Sequence, residues 1–489
     1  MLRNKINQLL LVLALGGAVA GCSKNETAPA FPNASVGKSL AEVIEATPRL
    51  SLLAGYLKKS GLLKELEASK TYTVWAPDNE ALKSLDPTIA ADSAKLRAVL
   101  SNHIALFSYY SKDGGAGKRV EMLNGKQVFF AGATFDASPI TEADHSTRNG
   151  VLHVIGKLAA PLPSVWEYIN GNTAAYRQNA FIVGQNYQAF DPALAIVDSI
   201  SANTGLPVYR PGTGLVTRNL FLDQVADVRS EEKLFTYFLV ADAAMVSETN
   251  RLLPYFRTST ADSTLSLSSF RLVRDMVVEG YFTKEQISGN LVTRFGVTLP
   301  VRSADITASI RLSNGIVHVL GGINFNLAQK LPNILVQGEQ PRGTFRPDGS
   351  VVNVRGSVFF RDRLNPLTGK AFNDIYVYNH GVSALNLQYT TAPLPAARYK
   401  VYWVAVNDTL RVNGTINPTA FQQRLALGSR TATNFALRAV DANNYGEVLL
   451  GEYTHPAYGP LDLFLTAASS TAAGVNTLTL DYIRLEPQL

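Results

Sequence analysis

A chain of 489 residues, 46% hydrophobic and 17% charged, has the composition of a folded globular protein and the length for about three domains at ~150 residues each. A formal charge of +6 is mild at this length. No dense Lys/Arg run interleaved with aromatics occurs, which argues against nucleic acid as a partner. Cys22 is the single cysteine, so an internal disulfide is excluded, and a chain this long can bury large cores without one.

The N-terminus opens with Arg3 and Lys5 and shows no acid before Cys22. The apolar run Leu9 to Val19 is far short of the roughly 20 residues that cross a bilayer, and matches the hydrophobic region of a signal peptide. Val19-Ala20-Gly21-Cys22 resembles the lipobox of bacterial lipoproteins. The resemblance implies that residues 1–21 are a signal peptide and that Cys22 carries the lipid, palmitate included. The alternative is an ordinary secretory signal with a stray cysteine. Two or three acyl chains anchor stably where one does not. The expectation is therefore a body lipid-anchored at the outer membrane, on the cell surface or on the periplasmic face. Residues 22–37 read as a polar tether reaching on the order of 20 Å. Ser23-Lys24-Asn25-Glu26 loosely resembles the acidic tag of surface-displayed lipoproteins, with one acid only.

Ser39 and Glu42 form a capping box ahead of a helical face made by Leu40, Val43 and Ile44. Thr47-Pro48 starts a second helix with Leu50, Leu53 and Leu57, and Gly61 stops it. Tyr72 to Ala76 is a strand ended by Pro77, and Asp78 caps the helix that follows. A further helix is expected to carry Leu96, Val99, Leu100, His103 and Phe107 on one stripe, before apolar strands at Val128–Phe130 and Val151–Ile155. YTVWAPDNEA (Tyr72 to Ala81) followed by NGVLHVI (Asn149 to Ile155) resembles the two signature blocks of fasciclin domains. The resemblance covers residues 38–163 and implies a wedge-shaped α+β fold that mediates adhesion and is not an enzyme.

The pattern returns. NGIVHVL (Asn314 to Leu320) repeats NGVLHVI, while Phe270, Val273, Val277 and Tyr281 align with Leu96, Val99, His103 and Phe107. TYFLVADAAM (Thr236 to Met245) aligns with the first block, with Asp242 set against Asp78. A second, divergent fasciclin-type domain is therefore expected over 164–332, its front enlarged between Asn170 and Ser230.

From residue 337 to 489 short alternating segments separated by Gly, Asn, Asp and Pro argue for an all-β sandwich. LTLDYIRLEP (Leu478 to Pro487) resembles the last strand of galactose-binding-like jelly rolls, a group with many carbohydrate-binding modules. Glycan-stacking candidates are Trp403 and Tyr399 on one strand and Tyr376 and Tyr378 on another. The competing reading places these rings in the core. By the same resemblance Asp481 is a ligand candidate for a structural calcium; no other cofactor is expected.

Other motifs carry no chemistry. His153 and His318 share one slot within apolar strands and read as structural. Asp113 to Lys118 mimics a phosphate loop, but Lys112 stands where glycine is required. No G-x-S-x-G elbow occurs. The sequence thus points to a non-enzymatic adhesion or glycan-binding lipoprotein, accessory to an outer-membrane glycan-uptake system. Its partners are the membrane and a surface glycan or an envelope protein. The alternatives are an envelope protein that binds proteins and no sugar, and a carbohydrate-active enzyme.

Overall fold

The computed structural model describes residues 35–68, 70–412 and 415–489, so Cys22 and the signal segment lie outside the described residues. No helix among the described residues is long and apolar enough to cross a membrane. The chain divides into two compact units between Pro161 and Leu162.

In the first unit Ser39 caps Leu40–Ala46, and Glu42 closes the capping box. Helices Ser51–Lys59 and Ser93–Ser101 set Leu53, Leu57, Leu96 and Leu100 against Tyr72, Val74 and Leu152 in one core. The second helix ends at Ser101, and Ile104–Leu106 is a strand, so the expected stripe through His103 and Phe107 is corrected. Pairing of Ile104, Ala105 and Leu106 with Val74, Thr73 and Tyr72 overrides the helical period there.

The first sheet runs Ile104–Leu106, Tyr72–Pro77, Gly150–Ile155, Ser138–Thr147, Thr134–Phe135, Gln127–Phe130, Lys118–Glu121. Its two most buried strands, Tyr72–Pro77 and Gly150–Ile155, are parallel, with Tyr72 opposite Gly150. A Cβ on Gly150 would lie 1.8 Å from the Tyr72 carbonyl oxygen, so only glycine fits this start of the strand.

The second unit begins with a sheet of the same central order: Val277–Glu279, Phe235–Val240, Gly315–Leu320, Ile306–Leu312. Phe235 lies opposite Gly315, as Tyr72 does opposite Gly150. This register equates Asp78 with Ala241 and Asn79 with Asp242. The Trp75 N–H donates to the His103 carbonyl at 2.9 Å, and the Phe238 N–H to the Met276 carbonyl at 2.8 Å, so His103 corresponds to Met276. The expected matches of Asp242 with Asp78 and of Val277 with His103 are each one residue out of register. The second strand has no proline to mark its end, and in Ala-Asp-Ala-Ala only the aspartate carried a signal.

The offset between matched residues rises from 125 (Leu40 to Val165, both starting capping-box helices) to 163 (Tyr72 to Phe235). The enlargement lies between helices Arg177–Val183 and Leu220–Gln224. It is a β arm: Asn186–Phe190 pairs antiparallel with Leu215–Asn219, and within that loop Val197–Ile200 pairs with Pro207–Tyr209.

The rest of the second unit is a β-sandwich around one core. A four-stranded sheet (Ile334–Gln337, Tyr482–Gln488, Ala397–Val404, Val448–His455) and a three-stranded one (Val358–Leu364, Ala371–Val377, Leu478–Leu480) share that core with a five-stranded sheet. The last strand, expected as one run, breaks at Asp481, whose N–H donates to the Val404 carbonyl at 2.8 Å. The sandwich is bound to the α+β part of its unit: the Ala396 and Tyr458 N–H groups donate to the Tyr255 and Arg257 carbonyls at 2.7 Å each. Tyr458 also packs against the α+β core.

Candidate functional site

Strands Val358–Leu364 and Ala371–Val377 place Phe359 opposite Tyr376, Arg361 opposite Asp374 and Arg363 opposite Phe372. Ile375 and Val377 enter the sandwich core, so the period-2 pleat sends Asp374 and Tyr376 to the other face, while Tyr378, just past the strand, also packs against the core. Asp374 is fully buried there and binds Arg361 through both oxygens, at 2.7 and 2.5 Å. It also accepts from Arg363 at 3.1 Å. Arg363 pairs in turn with Asp408, which accepts from the Tyr445 hydroxyl at 2.7 Å. The Tyr445 hydroxyl is raised above the usual phenol range by burial and then by Asp408.

The buried carboxylate fixes the guanidinium planes, and rings stack on them. The Arg361 guanidinium lies 4.6 Å from the Tyr376 ring centre, and Tyr376 stacks on Tyr378 at 5.9 Å with 7° between planes. Phe359, 48% exposed, lies 6.3 Å from Tyr376. The result is a row of flat groups, rigid at one end and open at Phe359 and half-buried Tyr378. Such a row can stack against an apolar ring face while arginine N–H groups stay close to its rim.

Trp403 and Tyr399 are not part of it. Each is 1% exposed and packs in the sandwich core, which corrects their reading as a sugar platform. Strand Ala397–Val404 alternates, and its inward face is Tyr399, Val401 and Trp403, the apolar set that the sandwich needs inside. The Tyr399 hydroxyl donates to the Pro395 carbonyl at 2.8 Å, and burial raises it well above the usual phenol range. Of the four proposed rings, the structure brings only Tyr376 and Tyr378 together. Sequence reasoning missed Phe359, Arg361, Arg363 and Asp374. The signal was present: Arg361 and Arg363 alternate along one strand, and Asp374, Tyr376 and Tyr378 along the next.

Asp481 sits at the break in the last strand, and its carboxyl is pushed up to about 7 by burial first, then by Asp374 and Glu339. Among the described residues no group of three His, Cys, Asp or Glu side chains is placed to hold a metal ion. The calcium expected at Asp481 would need backbone or amide oxygens for its other ligands. The histidines of the two central sheets are engaged in the fold. His153 Nε2 bonds the Tyr109 carbonyl, and His318 Nε2 the Phe282 carbonyl, both at 2.8 Å. His103 Nδ1 donates to the Val99 carbonyl, while Nε2 accepts the Ala159 N–H, each at 3.1 Å. Complete burial pulls its pKa down to about 4.

Known proteins resemble parts of this chain. The family model of the fasciclin domain matches residues 48–161. Transforming growth factor-beta-induced protein ig-h3 of Sus scrofa is 28% identical over 128 residues, and that of Oryctolagus cuniculus 25%. Each match covers 24% of this chain and 19% of the relative, so the chain spans about a fifth of those proteins. A FAS1 domain pair from the insect cell adhesion molecule fasciclin I aligns at 15% identity over 58% of this chain and 99% of its own, with a TM-score of 0.24. The CBM36-1 domain of a multidomain xylanase from the hindgut metagenome of Trinervitermes trinervoides aligns at 13% over 32% of this chain and 99% of its own, TM-score 0.22. A family 35 carbohydrate binding module from Clostridium thermocellum gives 10%, 32%, 99% and 0.21. At these scores the structural likenesses carry no argument about function. The sequence match rests on signature blocks that form the central parallel pair and its flanking turns, and identifies residues 48–161 as a fasciclin domain.

Proposed function

We propose that this protein is a non-enzymatic adhesion protein, anchored at the outer membrane by lipid on Cys22. The fasciclin match over 48–161 carries the reading, since such domains serve adhesion and protein contact. In this reading the sheet of the second unit, with the same central order and register, is a second, divergent fasciclin-type domain. The anchor places the body beside the envelope proteins or surface glycans it holds, as an accessory to glycan uptake. The test is a pull-down from native membranes with the full chain as bait, set beside polysaccharide-cleavage assays. A stoichiometric partner without turnover supports adhesion; sustained turnover overturns it. Cys22→Ala should abolish palmitate labelling and membrane sedimentation, and their persistence would remove the anchor.

Glycan binding is the second reading, favoured by the Arg361–Tyr376–Tyr378 row with Phe359 at its open end. Losing one stacking ring should weaken glycan binding several-fold to a hundredfold, taking for a sugar ring the ~1–3 kcal/mol of a stacked nucleobase. On a glycan array with the full chain, Phe359→Ala should show that loss at unchanged melting temperature, and Tyr378→Ala should show it beyond what its contact with the core costs in stability. Failure of the wild type to bind any glycan would end this reading and leave protein adhesion.

A further inference from the structure

The arm between Gly184 and Asn219 contributes no apolar side chain to the core of its unit, either buried or packed against it. Yet it is rich in them. Tyr187, Phe190, Leu194, Ile196, Val197, Ile200, Leu206, Val208 and Leu215 are each 40–64% exposed. Between Pro192 and Tyr209 the one charged residue is Asp198, and Arg210 neutralises it across the hairpin at 2.8 Å. Each strand pair of the arm is only two strands wide, so both outer edges carry unpaired backbone groups. A two-stranded ribbon without a packed face is marginal in water. An apolar surface of this size on a folded protein marks a contact.

We infer that the arm is where two copies of this chain associate about a twofold axis. Nine side chains showing on the order of 100 Å² each give roughly 900 Å² over the two faces of the ribbon, so a second copy that covers both faces reaches the about 800 Å² per partner of a standard interface. At the tip Asp198 and Arg210 neutralise each other, so the tip offers no net charge to select an oppositely charged partner. An unpaired antiparallel edge is self-complementary under a twofold axis, and a second identical edge satisfies it. Lipid would leave those same backbone groups unsatisfied.

The experiment is sedimentation of the full chain, wild type against a triple variant at the arm tip, Leu194→Ser, Ile200→Ser and Leu206→Ser. The wild type should be a dimer. The variant should dimerise at least about a hundredfold more weakly at an unchanged melting temperature, since hot-spot apolar contacts are removed without touching the core. A second measurement stands independent of that variant's folding. In a Cys22→Ser background, Ile200→Cys should form an interchain disulfide on mild oxidation, while Leu449→Cys, exposed on the sandwich, should not. A wild type that stays monomeric at its highest soluble concentration overturns the inference. So does a dimer indifferent to the arm, or equal cross-linking at both positions. A monomer that binds vesicles or another protein through the arm overturns it as well and assigns the arm to that ligand.

Discussion

The fasciclin domain of the first unit and the matching sheet of the second build one arrangement from different residues, and what they share shows what the arrangement needs. Asn149 and Asn314 do identical work. The Oδ1 of each accepts the N–H that opens a capping-box helix, Leu40 or Val165, at 2.8 Å. The Nδ2 of each donates to carbonyls just ahead of the first central strand, Leu66 in one and Val228 and Ser230 in the other. The glycine after each asparagine lies against the carbonyl of the neighbouring strand. Asn79 and Asp242, though different in charge, both accept an N–H in the first turn of another helix, Leu52 and Arg177.

Elsewhere the two diverge. Asp78 caps its helix by accepting the Ala81 N–H at 2.8 Å, whereas Ala241 offers no side-chain cap and its helix runs longer. Where the first unit joins its helix end to the segment after the last strand through Asn102 and His103, the second unit uses a buried ion pair, Lys330 to Asp275 at 2.6 Å. Burial lowers that lysine to about 8. The fold thus requires a polar tie at this corner and leaves its chemistry open.

Five substitutions press on that comparison, read by hydrogen exchange over the strands Tyr72–Pro77 and Phe235–Val240 so that each unit reports separately. Gly150→Ala should have the largest effect. Its Cβ would meet backbone at 1.8 Å, so the first unit should lose at least about 4 kcal/mol while the second keeps its protection. Gly315→Ala, with 2.0 Å to the Phe235 oxygen, should do the converse. Retained protection in the mutated unit would break the equivalence.

His103→Met, importing the second unit's residue, should cost about 1–3 kcal/mol near neutrality by orphaning the Ala159 N–H. It should also change the pH response. The folded pKa of His103, about 4, lies below its ordinary value of 6.5, so the unfolded chain takes up the proton first. Stability is therefore lost as pH falls from about 6.5 through about 4, and the methionine variant should lack this part of the slope. An unchanged slope would place the acid sensitivity elsewhere. The smallest effects belong to the cap. Asp78→Ala should cost ~1 kcal/mol, and Ala241→Asp should stabilise the second unit by ~0.5–1 kcal/mol. A destabilising Ala241→Asp would mean that the longer helix starts by other means.

Much of this architecture was legible in the sequence because it is local. The capping box at Ser39, the strand ended by Pro77 and the repeated Asn-Gly block are set by neighbours in the chain. What failed was phase and sidedness. Without a proline after Val240, a one-residue slip matched Asp242 to the wrong partner. The helix period from Leu96 appeared to continue through Phe107 because pairing with Tyr72 to Val74 is a long-range contact. Trp403 and Tyr376 both lie on alternating strands, and alternation assigns residues to two faces without saying which is inside. That was decided by the sum of Tyr399, Val401 and Trp403 against Ile375 and Val377, which only the assembled sandwich supplies.

The parallel pair at the centre of each sheet also governs the order of events as the chain emerges. Tyr72–Pro77 is buried on both faces, yet its central partner is the last strand of the same domain. Phe235–Val240 waits in the same way for Gly315–Leu320. Each pairing closes a loop of about 80 residues, an entropic cost met before any contact rewards it. Neither central pair can form before its last strand is delivered, so each sheet begins from its antiparallel pairs and closes only at the end.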